Sequence, residues 1–442
     1  MIFDILLLII QISLLSLIVL RESLTRGKKN LIAIIFFVAH LVLVEGQALY
    51  VLSDLMTNSE PVFYQSNVIT FKSFTYANIV LTISVLIIYV TYYLAMKKDT
   101  RPSSTKSTEL RESLFSYVVV VGIMLAACCL LIRKLGGLTS FYYSMGVMIG
   151  GQVLLIIMLS IGKLPLFAKV ASCRKPNPID WLLFIVAGLL IMLNSRGTAV
   201  FLATQYLLLG YFCGPKNTGT GKIFLKLGVV FFVVVIVYGG IRDFVTPRRT
   251  FLGLIEHYFD SRGHEDIKAL DMPDLFFRFM IEPFVGLSGI LNTSTEIGVP
   301  HDYGISNLCL FTRLVPYRIR AVLLSDVEMW ISSSMAVSGS VVPGGYEASF
   351  IHLGLAGIFL FALCLGVFPA LFYKQLMSPG ADRLKYILLS VQMLNFVLVP
   401  AWCIVFWILA ELGILFLYRL ILSAGVSFER RGRLEVYAVA KG

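Results

Sequence analysis

Apolar segments of about 20 residues recur along the whole chain, and they most constrain what it can fold into. A transmembrane helix needs about 20 mainly apolar residues. Hydrophobic residues make up 58% of the chain and charged residues 14%, whereas soluble domains carry about 25% charged residues. These features exclude a soluble enzyme, a disordered protein and a fibrous repeat, and they predict an all-α polytopic membrane protein. Eleven candidate spans are 2–20, 31–52, 75–96, 114–132, 144–161, 180–194, 198–213, 224–240, 350–373, 386–400 and 402–422.

The charges between these segments predict which side each connection faces. Every second connection is basic, and short cytoplasmic loops of membrane proteins are rich in Lys and Arg. We therefore expect the N-terminus outside and the C-terminus in the cytoplasm, with the first segment retained because its basic residues follow it. The same rule accounts for the net charge of +11, so no nucleic-acid partner is expected. The basic connections are 21–29, 97–111, 163–175, 216–226, 374–385 and the tail around residues 430–433.

One long connection divides the chain into three parts. Residues 1–240 are predicted to hold transmembrane helices 1–8, residues 241–349 a large periplasmic loop with amphipathic helices, and residues 350–442 helices 9–11 and a cytoplasmic tail. The loop contains eight arginines and one lysine, and Arg is typical of bidentate contacts to phosphate and carboxylate. Its arginines therefore predict a site for an anionic group such as pyrophosphate. The candidates are Arg242, Arg248, Arg249, Arg278, Arg318 and Arg320.

Ordinary membrane roles remain open for these arginines. The first three follow the eighth segment, where basic residues often anchor lipid headgroups. Arg318 and Arg320 could instead pair with Asp326 and Glu328 at the surface, where such pairs are common and weak.

Two further residues stand at predicted helix starts. Arg196 lies at the outer end of the helix beginning near Thr198, where it is either an anion ligand beside a helix N-terminus or an arginine snorkelling to the interface. Glu347 follows a Pro-Gly-Gly turn, where it is either a general base or a match for the helix dipole. Gly354 and Gly357, farther along, predict close helix packing. No Cys or His spacing is typical of a metal site, so neither a metal nor a cofactor is expected.

Two motifs and the loop between them resemble a known family. NSRGTAVFLATQYLLLG, with Arg196, is similar to the small-residue and arginine helix start of the Wzy-type oligosaccharide repeat-unit polymerases, which include the O-antigen and enterobacterial common antigen polymerases. SGSVVPGGYEASFIHLGLAGIFLFALCLG, with Glu347, is similar to that family's turn, acidic residue and glycine-bearing helix. The resemblance covers about residues 180–370. His352 stands where the family more often has a polar or small residue, and its role is open.

The resemblance implies a fold and an activity. The fold would be related to the membrane-embedded GT-C class, and the activity would be a metal-independent glycosyltransferase of the bacterial inner membrane. It would join polyprenyl-pyrophosphate-linked repeat units, with Glu347 and Arg196 as catalytic residues and the loop arginines on the pyrophosphate. Implied partners are the lipid-linked oligosaccharides, membrane lipids, a chain-length regulator and a flippase. The general base is open among Glu347, Asp326, Glu328 and the loop histidines.

Other functions are compatible with the same sequence. An O-antigen ligase-like transferase would use the same donor and pass the glycan to another acceptor. A flippase or transporter would be expected to show repeats or polar midplane helices. The sequence has no internal repeat, and its charges are predicted to lie mainly outside the spans. A lipid-binding scaffold without turnover is the remaining alternative.

Overall fold

A computed structural model describes residues 1–25, 29–57, 62–64, 67–97, 113–135, 157–194, 196–213, 283–296, 345–378, 382–392 and 401–439. Within these ranges only the backbone is described for residues 62–64, 67–68, 131–135, 192–194, 196–201, 283, 293–296, 348, 401–407 and 428–439.

Apolar helices dominate the described chain, which confirms that this is an α-helical membrane protein. Five are long and apolar enough to cross a membrane, and they coincide with the first, second, third, ninth and eleventh predicted spans. Three shorter apolar helices coincide with the fourth, sixth and seventh. The eighth span lies outside the described residues and the fifth and tenth are described in part, so the number eleven stays a prediction. The five long helices are Ile2–Leu24, Leu31–Thr57, Phe71–Lys97, Ser349–Met377 and Ile408–Ser427.

The elements follow one another as helices with one small β-hairpin. A π-helical segment, Leu41–Glu45, joins the helices Leu31–His40 and Gly46–Thr57. A 3₁₀ turn, Ile161–Lys163, leads into the helix Leu164–Ala171. The antiparallel strands β1 (Val62–Tyr64) and β2 (Asn67–Ile69) were not predicted, although their β-branched and aromatic residues favour strands. The helices are α1 (Ile2–Leu24), α2 (Leu31–His40), α3 (Gly46–Thr57), α4 (Phe71–Lys97), α5 (Leu114–Leu135), α6 (Leu164–Ala171), α7 (Pro178–Asn194), α8 (Arg196–Cys213), α9 (Pro283–Glu296), α10 (Gly345–Met377), α11 (Arg383–Gln392) and α12 (Ala401–Val439).

Helix α1 illustrates the arrangement expected of a helix in lipid. Its outward face is mainly apolar, and Phe3 and Leu6 are each 53% exposed. Polar side chains turn inward instead, as they do in membrane bundles. Gln11 donates through Nε2 to Asn78 Oδ1 at 2.7 Å, which joins α1 to α4. The buried residues recur every three or four positions, as one helix face requires: Asp4, Leu8, Gln11, Leu15, Ile18 and Glu22.

The buried apolar side chains form two cores. The first core is built mainly from α1, α2, α3, α4, α9 and α10, with α10 packed chiefly on α4. The second core is built mainly from α5, α6, α7, α8, α11 and α12. Each core therefore combines helices from distant parts of the chain.

Helix α10 is sharply kinked near its start. Leu353 has a φ of −138° and Gly354 a φ of 60°, a left-handed conformation that favours glycine. A Cβ added at Gly357 would overlap the carbonyl oxygen of Ser349, so the turn before the kink folds closely onto the turn after it. Close packing between helices was predicted at these two glycines, whereas the close contact at Gly357 is with another turn of α10 itself. Because of the kink, the first turns of α10, which carry Glu347, run in a different direction from the rest of the helix.

Helix α9 comes from the part of the chain predicted to be a loop. Its described side chains are buried in the first core, where α9 packs on α4 and α10. The position of residues 241–349 relative to a membrane stays a prediction, but α9 brings part of that stretch into direct contact with the bundle. The buried apolar residues are Phe284, Val285, Leu287, Ile290 and Leu291.

Candidate functional site

Glu347 is the one predicted site residue whose side chain is described. It stands in the first turn of α10 and is only 4% exposed. Arg196 is the first residue of α8, two positions before the predicted helix start, and its side chain is outside the described part. The six loop arginines also lie outside the described residues, as do Asp326 and Glu328. The geometry of the site is therefore built around Glu347.

The carboxylate of Glu347 lies against the first turns of α9. A Cβ added at Gly286 would be 2.5 Å from Glu347 Oε2 and 3.1 Å from its Cδ, so only glycine leaves room for the carboxylate. The start of a helix carries partial positive charge and favours a nearby anion. This position therefore suits a carboxylate inside a largely apolar bundle.

Gln47 of α3 caps the same helix start. Its Oε1 accepts hydrogen bonds from the backbone N–H groups of Phe284, at 2.9 Å, and Val285, at 3.3 Å. The first N–H groups of a helix have no partner within the helix, so a buried helix start needs an acceptor of this kind. Gln47 satisfies that need and fixes where α9 begins.

A second set of contacts holds the start of α10. His40 Nε2 lies 2.7 Å from the hydroxyl of Tyr346, and His40 Nδ1 lies 3.0 Å from Glu45 Oε2. His40 and Glu45 are fully buried and Tyr346 is 1% exposed. We call His40, Glu45, Gln47, Tyr346 and Glu347 the Glu347 cluster. Sequence reasoning missed every member except Glu347, although ionisable residues inside an apolar run, such as His40 and Glu45, are themselves a signal of function.

A groove is lined by residues of α4 and α9. Its volume is about 560 Å³, within the range typical of small-molecule sites. Gly286, which faces the Glu347 carboxylate, and Leu291, which lines the groove, are five residues apart on α9. A residue five positions ahead points about 140° away around a helix axis, so the two residues lie on different sides of α9. The walls of the groove include Phe71, Lys72, Tyr76, Ile79, Leu291 and Asn292.

The second core holds a buried ion pair. Lys163 Nζ lies 2.7 Å and 2.9 Å from the two oxygens of Glu411, and it donates to Gln205 Oε1 at 2.9 Å. Gln205 and Gln392 donate to Glu411 Oε1 at 2.9 Å and 3.3 Å. We call these four residues the Lys163 cluster.

The Lys163 cluster corrects one prediction. Lys163 was predicted to begin a basic connection, but it is 2% exposed and ends a 3₁₀ turn inside the second core, and the side of the membrane that it faces stays a prediction. Charges were predicted to lie mainly outside the spans, and Glu411 and Glu45 are two exceptions that are buried within apolar helices. A lysine at the end of an apolar segment looks like a loop residue in the sequence, because its partner Glu411 is 248 positions away.

His352 lies just before the kink of α10 and is 7% exposed. Its role stays open. Among the described residues, no group of three or more His, Cys, Asp or Glu side chains could hold a metal ion.

Comparisons of this chain with protein-family models, with curated proteins and with solved structures gave no match. Any functional assignment therefore depends on the residues and contacts of the chain itself.

Proposed function

We propose that this protein is a polymerase glycosyltransferase that joins polyprenyl-pyrophosphate-linked oligosaccharide repeat units. A hydroxyl oxygen of the next unit attacks the anomeric carbon at the reducing end of the growing glycan. The bond from that carbon to the pyrophosphate oxygen breaks, and the pyrophosphate leaves with the electron pair. Glu347 takes the proton of the attacking hydroxyl as general base. Arg196 and the loop arginines stabilise the charge that develops on the pyrophosphate.

The contact between Glu347 and α9 carries this proposal. The acidic residue singled out by the resemblance is buried against a helix from the arginine-rich stretch 241–349. A general base must lie within hydrogen-bond reach of the proton that it takes. A groove lined by residues of α4 and α9 offers space for part of a glycan, and Lys72 in its lining offers a cation for an anionic group.

The proposal includes a location and partners. The reaction would occur on the outer face of the bacterial inner membrane, with the N-terminus outside and the C-terminus in the cytoplasm. The donor carries its own leaving group, so neither a nucleotide nor a metal is needed there. A flippase would supply the lipid-linked units, and a chain-length regulator would act on the polymer.

Substitution of Glu347 tests the proposal directly. In a host that lacks its own copy, Glu347→Gln should leave single repeat units on the final acceptor, while Glu347→Asp should retain some polymer. Protein levels in the membrane provide the control, and the glycan profile on a gel provides the measurement. Long chains made by the Glu347→Gln variant would show that Glu347 is not the general base. A null strain that attaches no glycan at all would indicate the ligase-like transferase instead.

Gly286→Ala tests the same site without changing Glu347. The new methyl group must displace the carboxylate, and a shift of about 1 Å can cost up to about a hundredfold in rate. We expect polymer synthesis to fall at least about tenfold on this ground. Gly210→Ala is the matched control, because a Cβ there meets nothing within 4 Å. Equal polymer from both variants would show that the position of Glu347 is unimportant.

A flippase or transporter is the second candidate, and the Lys163 cluster favours it. Buried ionisable residues in membrane helices often mark substrate or proton pathways. The test is movement of lipid-linked oligosaccharide in sealed vesicles containing the purified protein. Movement that needs Glu411 and proceeds without a new glycosidic bond would replace the polymerase proposal.

A further inference from the structure

One short segment near the N-terminus contacts both elements that meet at Glu347. Through Tyr346, His40 holds the start of α10, and Gln47 holds the start of α9. Both elements come from far along the chain, 306 positions after His40 in the case of Tyr346. Residues 40–47 therefore connect the two helix starts between which the Glu347 carboxylate lies.

The π-helical segment explains how Glu45 reaches His40. In an α-helix a residue five positions ahead points about 140° away around the axis. The wider π-helical turn bonds each residue to the fifth one ahead, so residues five apart come nearly into line. Leu41–Glu45 is such a turn. It brings the Glu45 carboxylate to 3.0 Å from His40 Nδ1. Isolated π-turns are rare and frequently occur at functional sites.

The chemistry of the three side chains sets the direction of the hydrogen bonds. When Glu45 is ionised it can only accept, so the imidazole donates to it through Nδ1–H. When His40 is also neutral, its Nε2 is an acceptor, and the Tyr346 hydroxyl donates to it. Glu45 thus selects the tautomer of His40, and His40 fixes the hydroxyl of Tyr346. Tyr346 directly precedes Glu347, so this chain of bonds sets the rotation of the first turn of α10.

Burying these polar groups has a cost that apolar residues would avoid. A buried polar group without a hydrogen bond is destabilising, and apolar replacements of similar volume are often as stable as buried charged pairs. Packing alone therefore does not account for a His, a Glu and a Tyr that are almost fully buried together. Fixed geometry next to Glu347 does account for them.

We propose that His40, Glu45 and Gln47 are positioning residues that hold the carboxylate of Glu347 between the starts of α9 and α10. This proposal rests on the function proposed above. None of the three needs to touch the substrate, because they act through Tyr346 and through the backbone of α9.

Two substitutions of His40 separate its two contacts. Asn carries a polar atom near the position of Nδ1, which faces Glu45, whereas Gln carries one near Nε2, which faces Tyr346. His40→Gln should therefore keep the hold on α10, and His40→Asn should lose it. Tyr346→Phe removes the same contact while keeping the ring and its packing. Ser84→Ala is a matched control, because it removes a different buried hydroxyl of the first core, one bonded to Val80 O.

The first measurement is amide hydrogen exchange of the purified full chain in detergent. Exchange in residues 345–350 should rise in His40→Asn and in Tyr346→Phe, and should stay at the wild-type level in His40→Gln and Ser84→Ala. Equal exchange in the two His40 variants, or no rise in Tyr346→Phe, would overturn the positioning role. This readout needs no activity, so it can fail or succeed independently of the proposed function.

The second measurement uses lipid-linked repeat units isolated from a polymerase-deletion strain. We expect kcat to fall about tenfold in Tyr346→Phe, as loss of one buried hydrogen bond can cause, with little change in KM. His40→Gln should retain more kcat than His40→Asn. A change confined to KM would overturn the role. If exchange separates the variants but Glu347→Gln still makes polymer, the proposed function fails and the hold on α10 stands.

Discussion

The two cores bury ionisable groups in different ways. In the second core, Lys163 and Glu411 form a close ion pair, and the amide of Gln205 bonds both charges while that of Gln392 bonds Glu411. In the first core, Glu45 bonds an imidazole, and the other nitrogen of that ring bonds a tyrosine hydroxyl. Both clusters lie at an irregular helical turn, a 3₁₀ turn in one case and a π-helical segment in the other.

This difference indicates two roles: the Lys163 cluster holds the helices of the second core together, and the Glu347 cluster positions a side chain. The Lys163 cluster joins the 3₁₀ turn to α8, α11 and α12, and its charges neutralise each other within one closed set of bonds. The Glu347 cluster ends at the starts of two helices, where the Glu347 carboxylate lies. We therefore expect substitutions in the Lys163 cluster to act mainly on stability and substitutions in the Glu347 cluster to act mainly on activity.

The largest loss of stability is expected for Glu411→Ala. It leaves the Lys163 ammonium buried without its counter-ion, and removal of one partner from a buried pair costs about 3–5 kcal/mol. The midpoint of thermal unfolding in detergent, followed by tryptophan fluorescence, measures the effect. The double variant Lys163→Met with Glu411→Leu should be closer to wild type, because no charge is then left buried. A double variant as unstable as Glu411→Ala would show that the unpaired charge of Lys163 is not the cause of the loss.

The sequence predicts the helices of this protein better than its buried contacts. Spans such as Ile2–Leu24 and Phe71–Lys97 follow from hydropathy alone, because the lipid environment requires long apolar runs whatever the tertiary structure. Glu347 could be singled out from its place after a Pro-Gly-Gly turn at a helix start. Local sequence carries this information, so no knowledge of the fold is needed.

The contacts around Glu347 could not be predicted in this way. Pairs such as His40 with Tyr346 and Lys163 with Glu411 join residues more than 240 positions apart, and a single sequence does not reveal such pairs. The π-helical segment also lacks a recognisable local pattern. The burial of Gly286 against Glu347 depends on α9, which was predicted only as part of a large loop with amphipathic helices, without its partners.

Gly366→Ala tests the packing of the first core apart from its polar groups. A Cβ at Gly366 would lie 2.6 Å from the carbonyl oxygen of Ile88 in α4, and backbone cannot move aside as a side chain can. Overpacking of this kind costs about 1–3 kcal/mol. Gly188→Ala is the control in the second core, since its Cβ would meet Leu202 at an ordinary 3.5 Å. Equal unfolding midpoints for the two variants would show that α4 and α10 are not as closely packed as described.

Gln47→Ala should have a smaller effect on stability than on activity. It leaves the N–H groups of Phe284 and Val285 without their acceptor, and loss of a helix cap costs about 0.5–2 kcal/mol. Thr57→Ala in the same helix is the control, because it removes only exposed bonds to Ser53 O and Asp54 O and should change stability by less than about 0.5 kcal/mol. Polymer yield and unfolding midpoint are measured together. If Gln47→Ala lost stability but still made polymer, Gln47 would contribute to folding and would not position Glu347.

The smallest effect is expected at an ion pair on the helix that also carries Glu411. Arg419 of α12 pairs with Asp382, but the two side chains are 43% and 30% exposed. Water and salt screen such a pair, which is worth about 0–1 kcal/mol, so Arg419→Gln should barely move the unfolding midpoint. Lys163→Met removes the cation of the buried pair instead and leaves Glu411 without it, and its loss should be several times larger because burial removes that screening. The two variants should be compared at low and at high salt. High salt should only slightly lower the stability of the wild type relative to Arg419→Gln, because the exposed pair is already weak. It should not change the stability difference between the wild type and Lys163→Met, because a buried pair is screened much less. If Arg419→Gln proved as destabilising as Lys163→Met, solvent exposure would not determine how much an ion pair of the second core contributes to stability.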